Sequence, residues 1–402
     1  GHCFASTASQ ARLIVVRLLG SRGHWSYGLE QLQRWSDEGA DRQLLVLAGT
    51  VDQQGDLHGI GTVVPALADR LAALLREGGE TNMARLLDAI QALLNGTPPD
   101  SEEIEVVPLA DPFPWDWQDD PGSTVGVVLY RAQLQAGDTA LAQHLNQALR
   151  ERGLRPRLIW VSSLRDPAVQ AGVLDLLRSQ GAQVVITGTA FASVTTEPAG
   201  LGSALWDSLD RPVLQLLTAG TSRERWQQSS RGLEPLDLSL QVVMPELDAR
   251  VTTRPCAFRQ ARPPLGGLAT AITTPQPALD GINWLVAHAA RWIDLQDTPA
   301  EHRRVAMVLA NYPVRDGRVA NGVGLDTPAS VVNIIGWLAD AGYQLGEHPI
   351  PANGDRLIAS LLAGRTNSAE GRYRPPLDHL PLEIYQAWWD TIPSEAKARI
   401  VG

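Results

Sequence analysis

The sequence predicts an α/β protein made of several doubly wound, mostly parallel-sheet units. Short apolar runs rich in Val, Leu and Ile alternate with amphipathic stretches of helical period. The joins between them are short and punctuated by Gly, Pro and Asp. A length of 402 residues with 44% apolar residues is enough for two or three separate cores.

The chain enters its first strand almost at once, at RLIVVRLL (12–19), and LLVLAG (44–49) predicts a second. Between them HWSYGLEQLQRWSDEG places Trp25, Leu29, Leu32 and Trp35 at helical spacing. Two periodic helices follow, VVPALADRLAALLREGG and TNMARLLDAIQALLNG, with Gly78, Gly79 and Gly96 where C-caps belong. The Pro- and Asp-rich TPPDSEEIEVVPLADPFPWDWQDDPGS marks a boundary.

From 123 the alternation is regular: strand TVGVVLY, a helix with Asp138 as cap, strand RPRLIWVSS, and a helix capped by Asp166 with Pro167 at its first position. AQVVITGTAF, LGSALWDSL and RPVLQLLTA continue the pattern as strand, helix and strand, as in Rossmann-like and periplasmic-binding-protein-like domains. LDLSLQVVMPELDARV and PCAFRQARPPLGG are less regular, and PALDGINWLVAHAARWIDLQD is a helix. RRVAMVLA predicts a strand that opens a third unit. The expected division is 1–121, 122–300 and 301–402, the last continuing into sequence outside this chain.

Composition excludes several functions. Asp plus Glu is 44 against 34 Lys plus Arg, a net charge of −10, which disfavours nonspecific nucleic-acid binding. The sole lysine, Lys397, lies between two alanines, so no P-loop exists in this chain. The cationic groups are arginines, whose planar fork suits carboxylate ligands. Cys3 and Cys256 form neither a metal spacing nor a disulfide framework, which fits a reducing, cytoplasmic setting. No apolar run approaches a membrane span, and GHCFASTASQ has no signal-peptide pattern.

NYPVRDGRVANGVGLDTPAS, 311–330, between the predicted third-unit strand and the helix VVNIIGWLADAGY, is crowded with Asn, Arg, Asp and Gly. Open α/β sheets keep ligand sites at the carboxyl ends of strands. Asp326, Thr327 and Pro328 make a good helix start. Asn311, Arg315, Asp316, Arg318 and Asn321 are not needed for that start and form, together with Asp326 and Thr327, a candidate substrate-binding cradle; a surface loop tied by its own Asx turns is the alternative. In LLGSRGHWSYGLEQL, at the same position in the first unit, Arg22, His24, Trp25 and Tyr27 are candidates. His24, Trp25 and Tyr27 could flank a flat apolar ligand and His24 could donate an axial nitrogen, or Trp25 is core and His24 a solvated loop residue. Glu246 and Asp248 in MPELDAR, two apart on an extended chain, could meet a divalent cation, or could mark a solvent-facing strand end with an intrachain ion pair.

ANYPVRDGRVANGVGLDTPASVVNII closely resembles a signature of the large subunit of aerobic cobaltochelatases, the CobN-type family related to the porphyrin-binding H subunit of magnesium chelatase. RLLGSRGHWSYGLEQL, GGETNMARLLDAIQALL, VITGTAFA, PVLQLLTAGTSRERWQQSSRGLEPLDLSLQVVMPELDARV and YQAWWDTIPSEAKARIVG are similar to family segments in the same order. The resemblance implies tetrapyrrole binding and ATP-dependent insertion of Co2+ into hydrogenobyrinic acid a,c-diamide during cobalamin biosynthesis. It implies two smaller partner subunits forming an AAA+ motor that carry ATP and Mg2+, and no cofactor held by this chain; the acidic charge and the lack of an apolar span make neither nucleic acid nor membrane an expected partner. It makes Arg22, Arg315 and Arg318 the candidates for pairing with substrate carboxylates. The family's metal-insertion motif, of the form G-K/T-H-G-T-L-E-W, does not occur here, so catalytic residues are expected downstream of Gly402 and an isolated fragment is expected to be inactive. A magnesium-chelatase H-type subunit and a non-catalytic tetrapyrrole or metal carrier are the alternatives.

Overall fold

In the computed structural model, strands β1 (Leu13–Leu18) and β2 (Gln43–Ala48) pair in parallel, from Leu13 opposite Gln43 to Leu18 opposite Ala48. The structure describes residues 8–49, 54–190, 192–193, 204–263, 272–311, 316–346, 349–366 and 368–401. Successive residues of β2 face opposite sides. Leu44 and Val46 meet Leu29, Leu32 and Trp35 of α1 (Ser26–Asp37). Leu45 and Leu47 meet Leu67, Leu71 and Leu74 of α2 (Pro65–Glu77) and Leu86 and Leu93 of α3 (Gly79–Leu94). Both faces of this small sheet are therefore covered, which explains the unbroken apolar run of LLVLA. Gly78 makes the sharp turn between α2 and α3 at φ 62°, and a Cβ there would stand 2.7 Å from Gln135 Cβ.

The larger sheet contains β3 (Phe113–Trp115), β4 (Thr124–Tyr130), β5 (Arg155–Val161), β6 (Val184–Thr187), β7 (Val213–Ala219), β8 (Val251–Arg262) and β9 (Ile272–Pro277). Their order is β3-β5-β4-β6-β7-β8-β9, with β5, β4, β6, β7 and β8 parallel and the two edge strands antiparallel. After β4 the helices are α4 (Arg131–Gln135), α5 (Ala140–Glu151), α6 (Pro167–Ser179), α7 (Ala204–Leu209), α8 (Arg223–Gln228) and, beyond short turns, α9 (Leu279–Asp297). One core joins the sheet to Leu141, Leu145 and Leu149 of α5 and Ile282, Leu285 and Ala289 of α9. The other joins it to Val169, Val173 and Leu177 of α6 and Trp206 of α7. These two layers make the doubly wound domain predicted from the alternation. Asp166 caps α6 by accepting from Ala168 N at 2.8 Å, as predicted. Asp138 does not cap α5; Thr139 occupies that position and makes no side-chain bond.

Two stretches that appeared irregular in the sequence are ordered. Residues 235–246 run through the helical turns Pro235–Leu238, Ser239–Val243 and Met244–Glu246, the middle one π-helical. Residues 251–262 form β8, whose register against β7 shifts beside Pro255. A proline has no N–H for the ladder, and a bulge is where a strand tolerates it.

The chain divides into two compact units, Gly1–Ile293 and Asp294–Gly402. The second contains α10 (Thr327–Asp340), α11 (Gly354–Leu362), α12 (Leu382–Asp390) and α13 (Ser394–Val401). Here the structure corrects the prediction: RRVAMVLA, residues 303–310, forms no strand. Its composition suits a strand, but a strand exists only by pairing, and among the described residues only the carbonyl of Ala310, at its very end, accepts a backbone bond, from Ala320 N. Among the described residues no helix is long and apolar enough to cross a membrane.

Candidate functional site

The loop before α10 is folded on itself. Ala320 N donates to Ala310 O at 2.9 Å, and Asn311 bridges Val319 in antiparallel fashion. Ala320 is buried at φ 61°, in the left-handed region that a residue other than glycine rarely adopts. A second bridge joins Gly322 to Leu325, and a Cβ on Gly322 would stand 2.7 Å from Thr327 Oγ1. Asp326 caps α10, accepting from Ala329 N at 3.0 Å. Its carboxylate is thus occupied in starting the helix.

Asp316 is also occupied. Its Oδ2 accepts from Ser368 Oγ at 2.9 Å and Thr366 Oγ1 at 3.2 Å, with Arg374 Nη1 at 3.6 Å. This one carboxylate ties the loop to Thr366 and to the turn 368–371, in which Gly371 N donates to Ser368 Oγ at 2.9 Å. A Cβ on Gly371 would lie 1.8 Å from Thr366 Oγ1, so the turn needs glycine there. Arg318 and Asn321 differ from the two aspartates. Both are exposed, and neither side chain makes a hydrogen bond or ion pair among the described residues. Asn311 Oδ1 is buried and accepts from no described residue. Arg315 lies outside the described residues.

The turn that Asp316 fastens brings residues the sequence reading missed. Arg365 and Arg372 are exposed and line an open hollow of about 610 Å³ with Thr366, Pro376, Leu377 and Asp378. The composition of TNSAEGRYRPPLDHL signals a polar loop. Its attachment to Asp316 is a contact across about fifty residues that no local pattern announces.

Arg22, His24, Trp25 and Tyr27 are together at the end of β1, in the first unit and all exposed. Trp25 is not core; it is 46% exposed, and its ring lies over Gly28, where a Cβ would be 2.0 Å from the indole. His24 Nδ1 is 3.0 Å from Ser21 Oγ, which orients the ring. Arg22 lines a hollow of about 350 Å³ with Glu30, Gln33, Arg34 and His58.

Glu246 and Asp248 do not stand on an extended chain. Glu246 ends a helical turn and is exposed, whereas Asp248 is fully buried. Asp248 Oδ2 meets Arg250 Nη2 at 2.6 Å and accepts from Ser193 N at 2.7 Å and Oγ at 2.9 Å. Arg250 Nη1 donates to Thr189 O and Gln215 Oε1. Burial lowers the guanidinium pKa, and the Asp248 carboxylate opposes that shift. The pair anchors the loop after β6 to the start of β8. Among the described residues no three His, Cys, Asp or Glu are grouped to hold a metal.

A profile of the CobN/Magnesium Chelatase family matches residues 72–402. The chain belongs to the CobN/magnesium chelatase family. It is 34% identical to the aerobic cobaltochelatase subunit CobN of Sinorhizobium sp over 98% of this chain and 32% of that protein. It is 32% identical to the Pseudomonas aeruginosa protein of the same name, with the same shares covered. The catalytic subunit of cobaltochelatase from Mycobacterium tuberculosis superposes with a TM-score of 0.68 at 25% identity, over 98% of this chain and 32% of that one. The chain thus spans about a third of the length of the relatives it matches.

Proposed function

We propose that this chain is an amino-terminal part of the large subunit of an aerobic cobaltochelatase and contributes tetrapyrrole binding. The observation that carries the reading is likeness to cobaltochelatase subunits along 98% of the chain. The loop geometry supports it. Asp316 and Asp326 are engaged within the unit, while Arg318, Asn321 and Arg372 stay available to a ligand, and Arg365, whose Nε donates to Arg374 O, keeps its two Nη groups. A hydrogenobyrinic acid diamide carries peripheral carboxylates and amides. Arginine forks pair with carboxylates, and an Asn amide both donates to and accepts from a carboxamide.

In this reading Co2+ is a substrate and not a resident metal. Insertion chemistry lies outside this chain, and ATP is hydrolysed on AAA+ partner subunits. The sequence fits such a division, since its one lysine stands in no phosphate-binding motif. The subunit works in the cytoplasm.

Absorbance titration tests the reading. The chain is titrated with hydrogenobyrinic acid a,c-diamide and, separately, with protoporphyrin. Saturable spectral shifts with the corrinoid are expected. A response to protoporphyrin alone would move the chain to the magnesium-chelatase branch, and silence toward both would remove tetrapyrrole binding from it.

A further inference from the structure

Residues 304–309 of the second unit have the composition of a central strand and the surroundings of none. Alternate side chains point to opposite faces of an extended segment. Val305, Met307 and Leu309 line a cleft of about 490 Å³ with Val331 and Ile335 of α10 and Leu357 of α11. Val308, on the other face, is 92% exposed, and Ala306 is exposed beside it. No backbone hydrogen bond engages residues 304–309 among the described residues. Val305 and Met307 on the cleft face are also only partly covered, and an apolar segment with two bare edges and one bare face is costly in water and prone to pairing. Strands apolar on both faces belong to parallel sheets sandwiched between helices. The segment is followed by a loop and by α10, as the strand of a βα unit is, yet no strand follows α10 among the described residues. The crossover that a βαβ unit requires is left without its return strand.

We propose that residues 304–309 are one strand of a further parallel sheet, completed by strands from the same polypeptide in the part of its relatives' length that this chain does not cover. That part is about two thirds of each relative. Two edges and the Val308 face must be covered at once. A second copy paired edge to edge would cover one edge and leave that face bare. Further sequence with its own strands and helices covers all three. The loop from Asn311 to Asp326 then stands at the carboxyl edge of the finished sheet, where parallel sheets form ligand crevices. This inference rests on the chain being part of a longer polypeptide and not on tetrapyrrole binding.

Hydrogen exchange tests it without any ligand. The amides of 305–309 are followed in this chain and in the full-length subunit at low concentration. Fast exchange is expected in the chain, and slowing of about 100-fold or more in the full-length subunit. Val308→Glu supplies a second readout: an unchanged Tm in this chain, but a lowered Tm and lost protection in the full-length subunit. Fast exchange in the full-length subunit overturns the proposal. So does protection that rises with protein concentration, or that appears only when other subunits are added. If protection is present while the tetrapyrrole titration is silent, the sheet stands and the binding role falls.

Discussion

The hydroxyl of Ser368 donates to the carboxylate of Asp316 at 2.9 Å and joins two loops of the second unit that lie far apart in sequence. Thr366 adds a second donor to the same oxygen. The Arg374 contact is longer and partly exposed, so it adds little. Hydrogen bonds to a charged acceptor are each worth about 1.5–3 kcal/mol when buried, and less at partial exposure. Asp316→Ala should therefore destabilise the second unit by about 1–2 kcal/mol. Its sharper effect should be local. Amides near 318 and 368–371 should exchange faster while those of α10 keep their protection, because Asp326 still caps that helix. Uniformly faster exchange across the unit would show that Asp316 supports the whole unit and not the loop pair.

Asp248 and Arg250 offer a contrast, because both side chains are fully buried. Removing one partner leaves a charge without compensation in the interior, at a cost of about 3–5 kcal/mol. Asp248→Asn and Arg250→Met should each lower the unfolding free energy of the first unit by that amount, read as a lowered urea midpoint. The double variant should be less destabilised than the two singles combined. Additive losses in this double-mutant cycle would show that the pair is not coupled.

The doubly wound domain was legible because its strands are buried on both faces and its helices carry the 3.6 period. Leu145 and Leu149 of α5, and Val169 and Val173 of α6, are core positions that periodicity alone selects. Asp326 as a cap was legible for the same local reason. The MPELDAR stretch was not, because its helical turns and the burial of Asp248 depend on Arg250, Ser193 and the sheet beneath. The strand character of residues 303–310 was legible as composition, but pairing is a property of neighbours. Within the candidate site, the polar loop announced itself. The committed roles of Asp316 and Asp326, and the arrival of Arg365 and Arg372, are tertiary facts.

Cys256 gives a pH-dependent test. It is fully buried in β8, and burial pushes its thiol from 9.0 up to about 12. The folded state therefore holds the proton that the unfolded chain releases above pH 9. Its contribution to stability is complete below pH 9 and is lost as pH rises toward 12. The Tm difference between wild type and Cys256→Ala should shrink as pH rises from 8 to about 10.5. In a Cys3→Ser background, iodoacetamide should leave the folded protein unlabelled at pH 8 and label it in denaturant. Rapid labelling of the folded protein would contradict a buried, protonated thiol.

Arg318 and Arg372 stand on the two loops that Asp316 fastens together, and both are exposed. If a carboxylate-bearing macrocycle rests on both loops, each arginine contributes a solvent-facing pair worth about 0.5–1 kcal/mol. Arg318→Ala and Arg372→Ala should then each weaken corrinoid binding by about two- to fivefold, with Tm unchanged because neither side chain holds the fold. Binding should also weaken as salt rises, and the slope should be shallower in each variant. Asp316→Ala should weaken binding more than either arginine variant, since it releases both loops. Were Asp316→Ala to bind as wild type does while the arginine variants lose affinity, the arginines would act without the joint between the loops, and the ligand would rest on one loop only.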